Sequence, residues 1–285
     1  MASVVARLRR ALRIAAVVAI AFAIVALLTF IAFAREAERY TAGLAPEQFH
    51  RTLDRDLLAD YAGVFGVAHN SGDSIEAAAE AIRHGADVIE IDVVSIGDEL
   101  YAGHDSPLPL LGKRFFRGPK LIEVWDEARA ADAVKLDLKE SSKRYLALVF
   151  AFLRRHRAHD VVVASRDLAS LRGLRQRAPW AVRLLSVPNE QGLDALEHDD
   201  DLQQLIDGVT VRESLVTADR AAWLQRRDLI VLAWTVNESE RLNELVRAGV
   251  DAVTTDNLAI MELLGGQQRD EATLTRRSRR EQQAS

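Results

Sequence analysis

The chain contains no cysteine. Disulfides, thiolate metal sites and a cysteine nucleophile are thereby excluded, and redox chemistry gives no pointer to a compartment. A glycine-rich phosphate loop is missing as well. The segment after the first strand candidate, "HNSGDS" at 69–74, matches neither the dinucleotide nor the P-loop fingerprint. Positive charge is scarce in the body of the chain. The net charge is −5, yet residues 1–34 hold four arginines and no acid, and residues 267–285 hold five arginines against three acids. What lies between is strongly acidic, which argues against nucleic acid as a main partner, because a phosphate backbone calls for a basic face.

What the chain does have is length and apolar content for a sizeable core, 285 residues of which 49% are hydrophobic. Its longest uncharged run is Ile14 to Ala34, "IAAVVAIAFAIVALLTFIAFA", preceded by Arg7, Arg9, Arg10 and Arg13. A helix of this run crosses a bilayer of about 30 Å, and the flanking arginines put the N-terminus in the cytoplasm. The competing reading is a signal peptide cleaved after "AFA" at 32–34. A signal h-region of about 7–15 residues is shorter than this run, which favours the anchor. Either way the body is expected outside the cytoplasm. The organisation expected is a basic cytoplasmic arm at 1–13, a transmembrane anchor at 14–34, a juxtamembrane helix or linker at 35–64, one catalytic domain at 65–264 and a disordered polar tail at 265–285.

From Phe65 onward short Val/Ile-rich runs alternate with helical stretches. Strands are predicted at 65–69, 87–94, 99–104, 133–138, 160–165, 181–187, 208–212, 229–236 and 251–255. Helices are predicted at 74–84, 121–131, 141–157, 167–178, 190–206, 217–227, 238–248 and 257–264. Repeated βα units of this kind build a parallel sheet covered by helices. Eight of them in about 200 residues suit a (β/α)8 TIM barrel, with 99–104 as an extra hairpin arm. The fold class is therefore α/β, a TIM barrel preceded by one N-terminal transmembrane helix.

The chemistry concentrates in "GADVIEIDVVSIGDELYAGHD", residues 85–105. Glu90 and Asp92 sit two apart inside an apolar run, so they share one face of a strand, with Ile89, Ile91 and Val93 on the other. Two like charges resist desolvation at that spacing unless something positive holds them, and a divalent cation with oxygen ligands does so. The plainer reading is a strand face open to solvent. In "VKLDLK", Lys135, Asp137 and Lys139 share a face. Asp137 offers a third carboxylate, Lys139 at the strand end is placed to meet an anionic substrate, and Lys135 reads as a structural ion-pair partner. His69 and His104 each close an apolar strand, where barrel active sites lie, and paired imidazoles suit acid–base work near neutral pH. The other five histidines lie in polar or helical surroundings and read as surface residues.

Taken in order, "AHN…GADVIEIDVVSIGDELYAGHD…KLDLK…WTVN…GVDAVTTDN" resembles the glycerophosphodiester phosphodiesterases over about residues 66–264. The resemblance implies a TIM barrel that hydrolyses glycerol-linked phosphodiesters with one divalent cation, Mg²⁺ or Ca²⁺. It further implies that Glu90, Asp92 and Asp137 bind the metal, that His69 and His104 are the acid–base pair, and that Lys139 contacts the phosphate. The roles of the two histidines stay open. The substrate would be a small phosphodiester or a lysolipid, the membrane contact would be the N-terminal helix, and no obligate protein partner is implied.

The departures are specific. Where the family has Arg-Gly after its first histidine this chain has Asn70 and Ser71, and its Pro-Glu-Asn-Thr loop is shortened to "NSGDS". Asn70 would serve as a neutral donor to the phosphate. Asp73 reads as a helix cap with Glu76 completing a capping box, and Asn237 likewise as an N-cap with Glu240. Trp234 is expected either beside the substrate or in the barrel core. The short loop and the Asp-Leu-Lys also resemble sphingomyelinase D type phosphodiesterases, which act on choline-headed lysolipids and sphingolipids; the segment 108–118, "LPLLGKRFFRG", would then face lipid. A third reading is an inactive barrel that only binds a phosphate ligand.

Overall fold

The computed structural model describes residues 63–104, 116 and 118–265. The N-terminal arm, the anchor at 14–34, nearly all of the linker, the segment 105–115 and the tail beyond 265 lie outside the described residues. Among the described residues no helix is long and apolar enough to cross a membrane.

Among the described residues nine strands form one sheet. They are β1 (Phe65–Ala68), β2 (Val88–Ile96), β3 (Glu99–Ala102), β4 (Ala133–Leu138), β5 (Asp160–Ser165), β6 (Val182–Val187), β7 (Gly208–Arg212), β8 (Ile230–Trp234) and β9 (Ala252–Thr255). All but β3 are parallel, and β1 pairs with both β2 and β9, which closes the barrel. β3 folds back antiparallel on the end of β2, from Val93↔Ala102 to Ile96↔Glu99. The helices are α1 (Ile75–Arg83), α2 (Leu121–Ala128), α3 (Lys143–Arg155), α4 (Leu168–Arg177), α5 (Glu190–Glu197), α6 (Asp200–Leu205), α7 (Ala218–Gln225), α8 (Ser239–Arg247) and α9 at residues 258–265. The stretch 190–206, expected as one helix, is two. Asp199 accepts the N–H of Leu202 and so starts a new helix where the first would have run on.

Alternation along the strands separates two environments. Outward residues such as Ile89, Ile91, Leu136 and Val163 are fully buried, as are Val124, Trp125 and Tyr145 on the helices. Strand residues Val67, Val88, Ala164, Leu184, Leu232 and Ala252 form an apolar plug. One layer higher the interior turns polar, with Glu90, Asp92, Lys135, Thr210 and Thr254 all buried. The in-register pairs Glu90↔Lys135 and Asp92↔Asp137 put these charges side by side on neighbouring strands. A solvent-facing strand is excluded, since Asp92 is 0% exposed and Glu90 4%.

Between β1 and α1 the chain makes only a short 3-10 turn, Ser71–Asp73, that lies against β2. A Cβ on Gly72 would run into Ile91 Cγ1 and come within 2.8 Å of the Glu90 carbonyl oxygen. Gly72→Ala is therefore expected to destabilise the fold by about 1–3 kcal/mol through overpacking. Thermal unfolding monitored by circular dichroism checks this, and an unchanged midpoint would mean that the turn is not pressed on β2.

Candidate active site

The site stands at the C-terminal ends of the barrel strands. Glu90 and Asp92 come from β2 and Asp137 from β4, with a carboxylate oxygen of each within 4.8 Å of the others. Lys135 Nζ donates to Glu90 Oε1 at 2.5 Å, so its structural partner is Glu90 rather than a neighbouring aspartate. Lys139 Nζ lies 2.6 Å from Asp137 Oδ2 and 3.0 Å from Asp92 Oδ1. Asp73 is not the cap of α1. Ser74 takes that place by accepting the Ala77 N–H, while Asp73 Oδ1 turns inward and accepts the Asp92 N–H at 3.3 Å.

Four carboxylates thus converge on two ammonium groups, and the Arg166 charge also acts on Asp137. Burial, with the charges of Asp137 and Glu90 and against that of Lys139, pushes Asp92 up to about 6. Burial and then the Asp92 charge push Asp73 up to about 7. Asp137 is held below its ordinary value: burial raises it, but the charges of Lys135, Lys139 and Arg166 outweigh that. No hydrogen bond reaches Glu90 Oε2 or Asp92 Oδ2, although both atoms are buried. Buried, unsatisfied, all-oxygen donors that outnumber the cations around them fit a hard divalent cation.

His69 follows β1. The register Ala68↔Thr255 brings it level with Asp256, whose Oδ1 lies 2.7 Å from His69 Nδ1. Asn237 steadies that carboxylate. Its Nδ2 donates to Asp256 Oδ2 at 3.0 Å, and its Oδ1 accepts the Asp256 N–H at 2.9 Å. Asn237 is thus not the cap of α8, a position held by Glu238 without a side-chain bond. Burial lowers the His69 pKa, but the bond to Asp256 and the charges of Glu90 and Asp256 together raise it above its ordinary 6.5. Sequence reasoning misses Asp256. Its signals are its place directly after an apolar strand, which His69 shares, and its membership of the segment "GVDAVTTDN".

His69, Asn70, Glu90, Lys135, Ser186, Thr210 and Trp234 surround a cavity of about 90 Å³ inside the barrel mouth. A roomier cavity of about 440 Å³ adjoins it over β4 and β5. His104, which follows β3, lines both. The structure therefore gathers His69, His104, Glu90, Asp92, Asp137, Lys139, Asn70 and Trp234 into one region. Asn70 takes a left-handed backbone, φ 50°, at the turn out of β1. Trp234 has both expected positions: it lines the small cavity and packs on the apolar plug.

The fold and this site define the class, a (β/α)8 barrel with a buried acidic cluster and flanking histidines at the catalytic face. Residues 120–260 match the sequence profile of the Glycerophosphoryl diester phosphodiesterase family. The chain belongs to this family and is a phosphoric diester hydrolase. A sequence search of curated proteins finds no match. Among solved structures, a protein of Silicibacter pomeroyi, provisionally named a glycerophosphoryl diester phosphodiesterase, superposes with a TM-score of 0.59 at 21% identity over 73% of this chain and 96% of its own. An Oleispira antarctica phosphodiesterase in complex with the product sn-glycerol-3-phosphate gives 0.58 at 20% identity, over 72% and 98%. A glycerophosphodiester phosphodiesterase of Agrobacterium tumefaciens gives 0.55 at 19%, over 71% and 99%. At these identities the likeness is one of fold.

The His69–Asp256 pair has a pH signature. A raised folded pKa contributes stability that is full below 6.5 and fades as pH rises through the folded value. Asp256→Asn is expected to lower the His69 pKa in an NMR titration of the imidazole, and to destabilise the protein more below 6.5 than well above it. A His69 pKa unmoved by the substitution would show that the pair does not set it.

Proposed function

We propose that this protein hydrolyses glycerophosphodiesters to sn-glycerol 3-phosphate and an alcohol, with one divalent cation, Mg²⁺ or Ca²⁺, held by Glu90, Asp92 and Asp137. The observation that carries this is the buried carboxylate cluster with unpartnered oxygens, which opens on the same cavity as His69 and His104. The cation, when bound, supplies polarisation of a phosphoryl oxygen and offsets charge that develops there. The remaining work falls to side chains.

Because Asp256 engages Nδ1 of His69, Nε2 is the ring atom that exchanges a proton. Asp256 also favours the imidazolium, so His69 can hold a proton near neutral pH and give it up again. His104 serves as the opposite member. One imidazole draws the proton from the attacking water or hydroxyl and the other returns one to the departing alkoxide. Asn70 offers neutral donors to the phosphate from the small cavity. Lys139, tied to Asp92 and Asp137, contributes its charge from within the acidic cluster. That the related Oleispira antarctica enzyme is seen with sn-glycerol-3-phosphate supports the same product here. The uncharged run 14–34 behind four arginines supports a single-pass anchor, with the N-terminus cytoplasmic and the barrel on the far side of the membrane.

The test uses the full-length chain in detergent. Release of sn-glycerol 3-phosphate from glycerophosphocholine is followed with Mg²⁺, Ca²⁺ or chelator, beside lysophosphatidylcholine as a second substrate. Cation-dependent turnover of the deacylated diester is expected, with a loss on the order of 10²–10⁴-fold in His69→Ala. Glu90→Ala is expected to abolish it together with cation binding. Turnover of the lysolipid alone would move the protein to the lipid-directed class. Turnover indifferent to chelator would remove the cation, and cation binding without turnover of either substrate would leave a binding barrel.

A further inference from the structure

Three described cations line the two cavities: Lys135, Lys139 and Arg166. The two lysines are spoken for, Lys135 by Glu90 and Lys139 by Asp92 and Asp137. Arg166 differs, since among the described residues its guanidinium has no hydrogen bond and no ion pair. It stands directly after β5, and its backbone is held by its neighbours. The Asp167 N–H donates to Ser165 Oγ at 3.1 Å, and Asp167 Oδ2 caps α4 by accepting from the N–H and hydroxyl of Ser170. Its side chain lines both cavities, a property it shares only with His104, Asp137 and Lys139 among the described lining residues.

That shared rim has a chemical meaning. A phosphodiester is a phosphoryl group with one organic arm on either side, so a ligand spanning two adjoining cavities puts its phosphorus at their junction. We propose that Arg166 is the phosphoryl-binding residue of the site, its guanidinium fork taking two non-bridging phosphate oxygens at the junction of the cavities. This deepens the phosphodiesterase reading and rests on it for the identity of the substrate. A planar fork of N–H donors matches a phosphate bidentately, as an ammonium does not. At the rim, Arg166 faces Asp137, on which its charge acts, with Lys139 beyond β4 and His104 beyond β3, so the phosphate takes guanidinium donors that no described residue accepts from. The other arginine nearby, Arg212, stacks over the Trp234 ring at 5.6 Å and lines neither cavity among the described lining residues.

The experiment titrates inorganic phosphate and sn-glycerol 3-phosphate into the full-length chain, divalent cation present, by calorimetry. Arg166→Ala, Arg166→Lys and Arg212→Ala are compared with the wild type, and cation affinity is measured for each. Arg166→Ala is expected to weaken both phosphates on the order of 10–100-fold, the range for a lost charged hydrogen-bonding partner. Arg166→Lys falls between, because it keeps the charge and loses the fork. Arg212→Ala and all cation affinities stay within about twofold, the scatter of an uninvolved surface change. Phosphate affinity retained in Arg166→Ala, or lost in Arg212→Ala instead, overturns the assignment. So does a parallel loss of cation binding in Arg166→Ala, which marks a structural role. If the alanine variant does not fold, Arg166→Gln decides by the same criterion. Arg166-dependent phosphate binding without turnover of any glycerophosphodiester would overturn the substrate reading and uphold Arg166, whereas turnover with phosphate affinity indifferent to Arg166 would do the reverse.

Discussion

The constraint on which this structure depends is an imbalance of charge in a dry place. Glu90, Asp92, Asp137 and Asp73 converge on a polar layer above an apolar plug, and among the described residues Lys135 and Lys139 are the cations paired with them. Burying carboxylates is costly, and a buried ion pair seldom returns its full desolvation cost. The layer persists because β2 and β4 are anchored elsewhere. Their outward residues are packed beneath helices, and the lower interior is filled with small and branched apolar side chains. Stability is supplied around the site, and the site holds the strain. The same low dielectric that makes the layer costly strengthens each interaction that a cation or a phosphate would make there.

A second feature follows from closure of the barrel. The first and last strands meet in the register Ala68↔Thr255, so a histidine just past one strand faces an aspartate just past the other. The return of the chain after β8 adds Asn237 through the Val236 N–H to Thr254 carbonyl bond, and Asn237 then holds Oδ2 and the backbone N–H of Asp256 while His69 takes Oδ1. Orientation of His69 is thus a property of the ring as a whole. The acidic cluster, by contrast, is local to one adjacent strand pair. The His69–Asp256 corner on β1 and β9 borders the acidic cluster on β2 and β4, because β1 pairs with β2, and the two meet over one cavity lined by His69, Glu90 and Asp137.

Much was readable from residues alone, for a stated reason. Period-two alternation determines which residues share a strand face, and it groups Glu90 with Asp92, and Lys135 with Asp137 and Lys139. All nine strands lie where Val/Ile-rich runs between helical stretches place them, with ends moved by one or two residues. The strand-end positions of His69 and His104 follow from the same pattern. Tertiary structure decided what sequence separation hides. Asp256 stands 187 residues from His69, and only barrel closure brings them to 2.7 Å. Asp73 and Asn237 both fit a local capping rule, yet Ser74 caps one helix and Glu238 precedes the other, because a half-buried carboxylate or amide beside a site is held there by partners that no short window contains. Arg166 is one arginine among many in the chain, and its lack of an ion pair among the described residues appears only when the lysines around it have found theirs. Strand periodicity is a property of neighbours in the chain, and charge compensation is a property of neighbours in space.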